Sequence, residues 1–571
     1  MMAQSFVWEQ VIAIDFGTTR TGYAILRAGS SNVEVRTNWE GNVEQHYKNL
    51  TIILYDTNTL TPLSWGFEAV DMYKRKIRAK ETNMRLINDI KLNLNKLQDP
   101  NEKLPKIQIG SNSVSTIKVI ADFLTLVVAT IRKQNPEINI EATKWCLTVP
   151  AIWNDAMREA MKQAAEEAGL VKQPGRNEEE QFTLALEPEA AAVCCLKSRE
   201  IRLKNNDLFV IVDAGGGTVD ITSYQVVNDK LRQKYKASGE ACGGTMVDRA
   251  WWKYVDRIFE SKLGISDFTA SRLQPHFAFL DFQSNWEAAK IFFVPGDSAE
   301  VSISIPNQIN NSILAKIDFI DELGSFYSAD SSEFIISSSD MESLFTESVE
   351  ETLDYTREAI EETLCASNAP SIDYLMLVGG YSRSIVLTKA IQKANFNVKQ
   401  ILMPHNGGEA IAFGAAHYGA SPTIIQTRRL LATYGLAVSR LYNPNLHANM
   451  KVDLITQGEQ KYFIGFEKFF SVNEEVEPGT TISKSYRLLP THYEVGYVPI
   501  TILKTNNANA LTREDACVLA KIKLNLFTNS RAALPQEISV QFQFGNTQLH
   551  VTARDNSGEA VIVEIAYEAL N

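Results

Sequence analysis

The order of apolar and polar positions divides the chain into two regions. Up to about residue 420, short apolar runs alternate with longer amphipathic segments, which is typical of an α/β fold. Later apolar runs are short and separated by Asn, Gly and Pro, a pattern that favours antiparallel strands. These runs cover residues 434–439, 450–456, 461–466, 497–503, 518–527, 537–544 and 548–553, followed by Ala560–Ala566. The pattern changes near Ser421-Pro422.

One motif, an apolar strand that ends in Asp and a turn rich in Gly and Thr, occurs twice. The first copy spans Val11–Leu26 and the second spans Leu208–Val227. Each predicts a β-hairpin, and their separation of about 200 residues predicts two α/β lobes of related design. A third turn, Gly379-Gly380, follows a predicted buried strand.

Two helices can be delimited from the same pattern. Asn154 or Asp155 can cap a helix over Ala156–Gly169, where Gly169 supplies the stop. Residues 341–365 are acidic and amphipathic, with apolar side chains at helical spacing, which predicts a second helix.

Composition and charge exclude several classes of protein. The chain has 571 residues with a formal net charge of −12, which argues against nucleic acid or an anionic membrane as the main partner. Its apolar runs are too short for a membrane span, and the N-terminus lacks the features of a secretory signal. The six cysteines have neither metal-ligand nor disulfide-framework spacing, so we expect a reduced, cytoplasmic protein.

The two Gly/Thr turns carry the candidate chemistry. Backbone N–H groups of a glycine turn can point at an anion, and a neighbouring Asp can hold Mg²⁺ directly or through water. A single turn of this kind is usually a plain hairpin, whereas two matched turns favour a two-sided phosphate clamp. Its faces would be Asp15, Gly17, Thr18 and Thr19, and Asp213, Gly215, Gly216, Gly217 and Thr218. Walker A and Rossmann glycine motifs are both absent from the sequence.

Further segments extend the pattern in a fixed order: Leu147–Arg158, Leu186–Ala192, Gly239–Asp248, Trp286–Lys290, Val378–Gly380 and Glu409–Ala416. With the hairpins, they make residues 11–420 resemble the 70-kDa heat-shock protein family of the actin, sugar-kinase and heat-shock ATPase superfamily. The stretch around Pro174–Phe182 is similar to the divergent branch called heat shock 70 kDa protein 12. The resemblance implies an α/β fold, a two-lobed actin-like ATPase domain of duplicated ribonuclease-H-like lobes, followed by an all-β sandwich-like domain.

The resemblance also implies domain boundaries and partners. Lobe I would cover residues 1–206, lobe II 207–420, a linker 421–436 and the β-sandwich substrate-binding-like domain 437–571. The family's acidic-leucine linker is replaced by Gln426–Gly435, which makes docking of J-domain co-chaperones doubtful. We expect the chain to end where the family's helical lid would begin, so that the β domain would bind client or partner proteins without a lid.

By resemblance, the reaction itself falls to four side chains: Lys91, Glu187, Asp213 and Thr218. Glu187 would orient the metal's water shell and the attacking water, while Asp15 and Asp213 would hold Mg²⁺, partly through water. A lysine would help to place that water, and two neighbours, Lys80 and Lys96, stay as alternatives for this role.

The resemblance assigns nucleotide contacts to Thr18, Thr19, Gly243 and Gly244 at the phosphates, Glu287 and Lys290 at ribose and adenine, and Gly379, Gly380 and Arg383 at the floor and flank. The family's arginine after Lys290 is Ile291 here, its serine after Gly380 is Tyr381, and Gly408 replaces an acidic residue. Pro150 and Arg158 match a hinge that relays nucleotide state, although a structural helix start explains them equally well.

Three functions follow from these assignments, each with ATP or ADP and Mg²⁺ as cofactors. The first is a chaperone-like protein that hydrolyses ATP slowly and couples nucleotide state to client binding by the β domain. The second is a nucleotide-sensing interaction scaffold with little or no ATPase activity. The third, a small-molecule kinase, is disfavoured because sugar kinases lack a C-terminal β sandwich.

Overall fold

A computed structural model provides the fold. It describes residues 8–42, 45–98, 104–171, 181–198, 200–263, 277–296, 299–307, 309, 326–328, 331–404, 407–447, 450, 452–457, 459–488, 492, 495–526, 537–545, 548–555 and 560–566. Most of the stretch around Pro174–Phe182 therefore lies outside the described residues. The chain forms two compact units, and the second comprises Trp153–Asp155, Lys230–Lys236 and the residues from Ile425 onward. The domain boundaries inferred from the sequence stay predictions.

The strands of the described residues are numbered along the chain. They are β1 Gln10–Phe16, β2 Arg20–Arg27, β3 Val33–Val35, β4 Asn49–Leu50, β5 Ile53–Asp56, β6 Pro62–Trp65, β7 Met84–Ile87, β8 Lys106–Ile109, β9 Asn112–Ser115, β10 Thr143–Val149, β11 Phe182–Leu186, β12 Leu208–Ala214, β13 Val219–Val227, β14 Lys230–Glu240, β15 Val301–Ser304, β16 Tyr327–Ser328, β17 Glu333–Ile336, β18 Ile372–Val378, β19 Val398–Leu402, β20 Ile425–Arg429, β21 Thr433–Leu441, β22 Ile455–Gln457, β23 Gln460–Phe470, β24 Glu475–Val476, β25 Thr481–Arg487, β26 Tyr497–Thr505, β27 Cys517–Asn525, β28 Glu537–Phe544, β29 Gln548–Asp555 and β30 Ala560–Ala566.

The α-helices of the described residues are Gly66–Arg78, Thr116–Gln134, Asp155–Glu167, Glu187–Lys197, Gly244–Leu263, Phe277–Phe292, Ser338–Ser343, Thr346–Ser367, Ile385–Lys393, Ala410–Ala420 and Pro444–His447. Short 3-10 helices cover Lys91–Gln98, Ile140–Ala142, Tyr381–Arg383, Pro422–Ile424 and Arg513–Asp515. Within the described part of the chain, no helix has the length and apolar character needed to cross a bilayer.

Two sheets of the first unit share one strand order, β11-β10-β1-β2 in one and β19-β18-β12-β13 in the other. In each sheet an antiparallel hairpin, β1/β2 or β12/β13, is extended by two parallel strands. Strands β1 and β12 are buried along their whole length, as expected for apolar strands covered on both faces. Both hairpins predicted from the sequence repeat are therefore confirmed. The register places Asp15 opposite Gly22 and Asp213 opposite Asp220, close to each turn.

A close crossing of two helices fixes the start of the helix Glu187–Lys197. A Cβ atom added to Gly414 of the helix Ala410–Ala420 would lie 1.7 Å from the carbonyl oxygen of Ala190. The helix Ala410–Ala420 also packs against β1, β2 and β10. Only glycine allows this separation, because any side chain at position 414 would overlap the neighbouring backbone.

The two predicted helices have different outcomes. The helix Asp155–Glu167 confirms the first, and Gly169 follows it with a φ of 76°. The prediction for 341–365 is wrong in one respect, because the chain forms two helices, Ser338–Ser343 and Thr346–Ser367. Phe345 lies between them, is 1% exposed and stacks on Phe293 at a centroid distance of 6.3 Å, so its burial fixes the break.

Two antiparallel sheets lie in the described part of the second unit. Their orders are β22-β23-β21-β26-β27 and β25-β28-β29-β30, and both sheets contribute to one hydrophobic cluster. The rings of Phe469 and Phe542 stack in that cluster at 4.2 Å. Strand β25 was not predicted, because its sequence is mostly polar and its side chains alternate between exposed and half-buried. Within the same unit, β20 pairs with Leu231 and Arg232 of β14.

Candidate functional site

The two Gly/Thr turns face each other directly. A Cβ atom added to Gly217 would lie 2.6 Å from Thr18 Oγ1, and one added to Gly216 would lie 2.9 Å from Thr19 Oγ1. Thr51 holds the first turn, because its Oγ1 donates to the Gly17 carbonyl at 2.8 Å and its N–H donates to the Thr19 carbonyl at 2.9 Å. The structure thus brings together the two faces of the predicted clamp.

A second glycine pair packs behind the turn Gly215–Gly217. The Gly244 N–H donates to the Gly215 carbonyl at 3.1 Å, and the Thr245 N–H donates to the Gly216 carbonyl at 2.7 Å. A Cβ atom on Gly243 would lie 2.7 Å from the Gly215 carbonyl oxygen. The helix Gly244–Leu263 begins at this contact, so its positive N-terminal end lies beside the turn.

Four carboxylates gather beside the turns: Asp15, Glu187, Asp213 and Asp220. Burial, and then repulsion by Glu187, raises the pKa of Asp213 well above its usual range and that of Asp220 to about 7. Burial, reinforced by Asp15, likewise raises the pKa of Glu187, although the attraction of Lys91 opposes the shift. Such crowding makes a site that favours cations.

Lys91, the first residue of the 3-10 helix Lys91–Gln98, contacts this group of carboxylates. Its Nζ donates to Glu187 Oε1 at 2.5 Å and to the Phe16 carbonyl at 2.6 Å. The Lys91 side chain is 3% exposed, whereas Lys80 and Lys96 lie exposed on the surface. Of the three lysines considered from the sequence, Lys91 is the one that reaches the site.

Lys48 also lies in the site and was missed by sequence reasoning. Its Nζ lies 2.5 Å from Asp15 Oδ2, while Thr148 Oγ1 donates to Asp15 Oδ1 at 3.2 Å. Burial alone would lower the pKa of Lys48, but the combined attraction of Asp15, Asp213 and Glu187 and the contact with Asp15 raise it. The one signal in the sequence is its position just before Asn49, which begins the strand paired with β2.

Asp220 is the second residue that sequence reasoning missed as a site residue. It accepts hydrogen bonds from Thr218 Oγ1 at 2.7 Å and from the Ala151 N–H at 3.0 Å. Its position in the second hairpin, opposite Asp213, was the available signal. Arg158 Nη2 donates to the Ala151 carbonyl at 3.3 Å, so Asp220 links Thr218 to the segment that contains the predicted hinge.

The predicted ribose and adenine contacts lie on the helix Phe277–Phe292. Lys290 Nζ donates to Asp248 Oδ1 at 2.6 Å, and Trp286 Nε1 donates to the same oxygen at 2.7 Å. Glu287 lies 3.7 Å from the Arg20 guanidinium, and both side chains are about one-third exposed to solvent. Lys290 is therefore already paired, whereas Glu287 faces the first hairpin.

The third glycine turn closes against the carboxylates. Gly379 has a φ of 88°, and a Cβ atom there would lie 2.5 Å from Asp213 Oδ1. Gly380 has open space around it, and Arg383 is exposed. Tyr381 is 5% exposed and accepts a hydrogen bond from Ser348 Oγ at 3.1 Å, so the tyrosine is part of the packed core beside Gly244.

The donor set fits Mg²⁺ bound partly through water. Magnesium prefers oxygen ligands and retains several waters beside one or two carboxylates and substrate phosphates. Lys48 and Lys91 neutralise two of the four clustered carboxylates. Among the described residues, no three acidic, His or Cys side chains form a ready-made metal cage, so water and phosphate oxygens would complete the coordination. Asp15 and Asp213 would hold the ion.

Comparison with known proteins identifies the family. A family model described as "Hsp70 protein" matches residues 11–425. The chain is 26% identical to human "Heat shock 70 kDa protein 12A" and 27% identical to human "Heat shock 70 kDa protein 12B", over 97% of this chain and 90% of each relative. It is 26% identical to the pea protein "Stromal 70 kDa heat shock-related protein, chloroplastic" over 72% of this chain and 53% of that protein. Because the family match covers well over half of its length, the chain belongs to the Hsp70 protein family, whose members are ATP-binding, chaperone-type proteins with an actin-like two-lobed ATPase.

Proposed function

We propose that the first unit binds ATP or ADP with Mg²⁺ between the two facing turns and hydrolyses ATP slowly. The observation that carries this proposal is the direct approach of Gly217 to Thr18, beside the clustered carboxylates. Backbone N–H groups at the turns supply donors for phosphate oxygens, and the carboxylates attract a divalent cation. Phosphoryl transfer needs positioning and charge neutralisation more than covalent chemistry, so this arrangement suffices.

Each side chain then has a defined task. Thr18 and Thr19 would contact phosphate, and Asp15 and Asp213 would hold magnesium, which would neutralise charge on the phosphates. The Lys91 ammonium holds Glu187 in place, so that this carboxylate can orient the attacking water. The hydrogen bond from Thr218 to Asp220 would hold the threonine near a bound γ-phosphate. These tasks use interactions that are strongest when the phosphates carry most negative charge.

We further propose that nucleotide state controls binding of client or partner proteins by the second unit, a sandwich-like β domain, in the cytoplasm. The supporting contact is the hydrogen bond from the Ala151 N–H to Asp220, because it joins the nucleotide site to the Pro150–Arg158 segment. Docking of J-domain co-chaperones is not part of this proposal, since Gln426–Gly435 replaces the family's acidic-leucine linker in the sequence.

Nucleotide binding is tested by measuring ATP affinity with and without EDTA. We expect Asp213→Ala and EDTA each to weaken ATP binding at least about tenfold, because each removes part of the magnesium site. A matched control is Asp373→Ala, since Asp373 pairs with Lys399 at 2.6 Å outside the carboxylate group. ATP affinity that responds to neither EDTA nor Asp213→Ala would refute the clamp.

The alternative function is a nucleotide-sensing scaffold that binds ATP without turnover. Burial of Tyr381 beside Gly244, where the family has a serine, is the observation that favours it, because it alters the floor of the site. A single-turnover assay with labelled ATP separates the two. We expect phosphate release from the wild type and its loss in Glu187→Ala. Release at only the spontaneous rate in the wild type supports the scaffold.

A further inference from the structure

A lysine lies against Asp15, one of the two carboxylates that would hold magnesium. Lys48 Nζ lies 2.5 Å from Asp15 Oδ2, and the Lys48 and Asp15 side chains are 17% and 3% exposed. The Lys48 charge also acts on Asp213 and Glu187, so the lysine lies within the electrostatic reach of three of the clustered carboxylates. Neither the backbone clamp nor the catalytic assignments give this ammonium a task.

We propose that the Lys48 ammonium pairs with Asp15 while the site holds no magnesium, and that it must move away from Asp15 Oδ2 before the ion can bind. This inference rests on the proposed magnesium-nucleotide function. The reason is like-charge repulsion, because an ammonium and a divalent cation at one carboxylate repel each other strongly in a partly buried site. Lys48 thereby makes the empty site reject free Mg²⁺ and accept the metal together with a nucleotide, whose phosphates offer the displaced ammonium another anion.

The Lys91–Glu187 ion pair resembles the Lys48–Asp15 pair, but its lysine is held more firmly. Lys91 Nζ donates hydrogen bonds to both Glu187 and the Phe16 carbonyl, so two acceptors hold it in place. For Lys48 the described ion pair is the one to Asp15. The Lys48 side chain is also the more exposed of the two, at 17% against 3% for Lys91. Lys48 is therefore the cation that can move aside, whereas Lys91 stays.

The test measures Mg²⁺ binding without nucleotide, by isothermal calorimetry and by the rise in melting temperature with Mg²⁺ concentration. We expect the wild type to bind Mg²⁺ weakly and Lys48→Met to bind it at least about tenfold more tightly, which corresponds to about 1.4 kcal/mol. Lys48→Arg should behave as wild type because it keeps the charge. Should Lys48→Met not fold, Lys48→Gln replaces it, since its amide can still bond Asp15 without carrying charge.

The control is Lys234→Met, which breaks a similarly buried pair with Glu475 at 3.1 Å. Its Mg²⁺ affinity should equal that of the wild type. The proposal is overturned if the uncharged Lys48 variants bind Mg²⁺ no more tightly than the wild type, or if Lys48→Arg gains the same affinity as Lys48→Met. A parallel titration with ADP and Mg²⁺ distinguishes failure of the Lys48 proposal from failure of the proposed function. If the wild type binds no nucleotide, the proposed function is contradicted.

Discussion

The buried pair between Lys91 and Glu187 gives the sharpest quantitative prediction. The two side chains are 3% and 13% exposed, and 2.5 Å separates Lys91 Nζ from Glu187 Oε1. Lys91→Met leaves a buried carboxylate without its partner and also removes the donor to the Phe16 carbonyl. Removal of one member of a buried ion pair costs about 3–5 kcal/mol, so we expect a loss of that size in the free energy of unfolding.

The predicted loss depends on pH in a defined direction. Burial already raises the pKa of Glu187 above its ordinary 4.5, and loss of Lys91 raises it further. A carboxyl whose pKa is higher in the folded protein than in the unfolded chain stabilises the fold below the unfolded pKa, and that stability is lost as pH rises. The cost of Lys91→Met should therefore be larger at pH 8 than at pH 5.

Urea denaturation followed by tryptophan fluorescence measures this loss, because all eight tryptophans lie at or before Trp286. Lys96→Met is the matched control, since Lys96 lies exposed on the same 3-10 helix and its loss should change stability by less than about 0.5 kcal/mol. The double variant Lys91→Met/Glu187→Gln should recover part of the loss. A loss below about 1 kcal/mol, or one that shrinks from pH 5 to pH 8, refutes the reasoning.

Three more predictions concern single positions. Gly379→Ala should destabilise the fold by about 1–3 kcal/mol or more and weaken nucleotide affinity, because the added Cβ would lie 2.5 Å from Asp213 Oδ1. Gly296→Ala is the control: Gly296 has a similar φ of 83° but open space around it, so this variant should cost only the backbone strain. Because the Asp220 pKa is raised from 3.8 to about 7, the wild type should lose stability as pH rises from about 4 to about 7. Asp220→Asn should lose less stability over this range, as thermal melts in EDTA will show. Burial would raise the pKa of Glu467, but its ion pairs with Arg440 and Lys484 lower it, so its contribution to stability is lost as pH falls. In urea titrations, Glu467→Gln should therefore lower the free energy of unfolding by about 1–2 kcal/mol at pH 7 and by less near pH 4.

Local sequence pattern was sufficient for the hairpins and their turns. In both copies an apolar strand, β1 or β12, is followed by a Gly/Thr turn and a second strand, so the local sequence alone specifies the hairpin. Lys91 could be chosen by resemblance because it lies in a recognisable position relative to the hairpin. The approach of Gly217 to Thr18 was expected from the repeat, and its distance comes from the structure alone.

Contacts made through space could not be predicted in the same way. Lys48 lies in a polar segment, and nothing in its local sequence shows that its ammonium reaches Asp15. The break at Phe345 depends on burial against Phe293, which the helical period of its own segment does not reveal. Strand β25 has a polar sequence, and its pairing with β28 supplies the backbone hydrogen bonds that stabilise it. In each case the partner is distant along the chain.

The helix crossing at Gly414 has a consequence for biosynthesis. The helix that begins with Glu187 is held by Ala410–Ala420, and a Cβ at Gly419 would lie 2.8 Å from Val11 Cγ1 of β1. Strand β1 and the helix Glu187–Lys197 therefore bury surface against a segment that leaves the ribosome more than 200 residues after Glu187. A nascent chain shorter than about 420 residues exposes the apolar surface around Val11 and Ala190, so the nucleotide site is completed only late in synthesis.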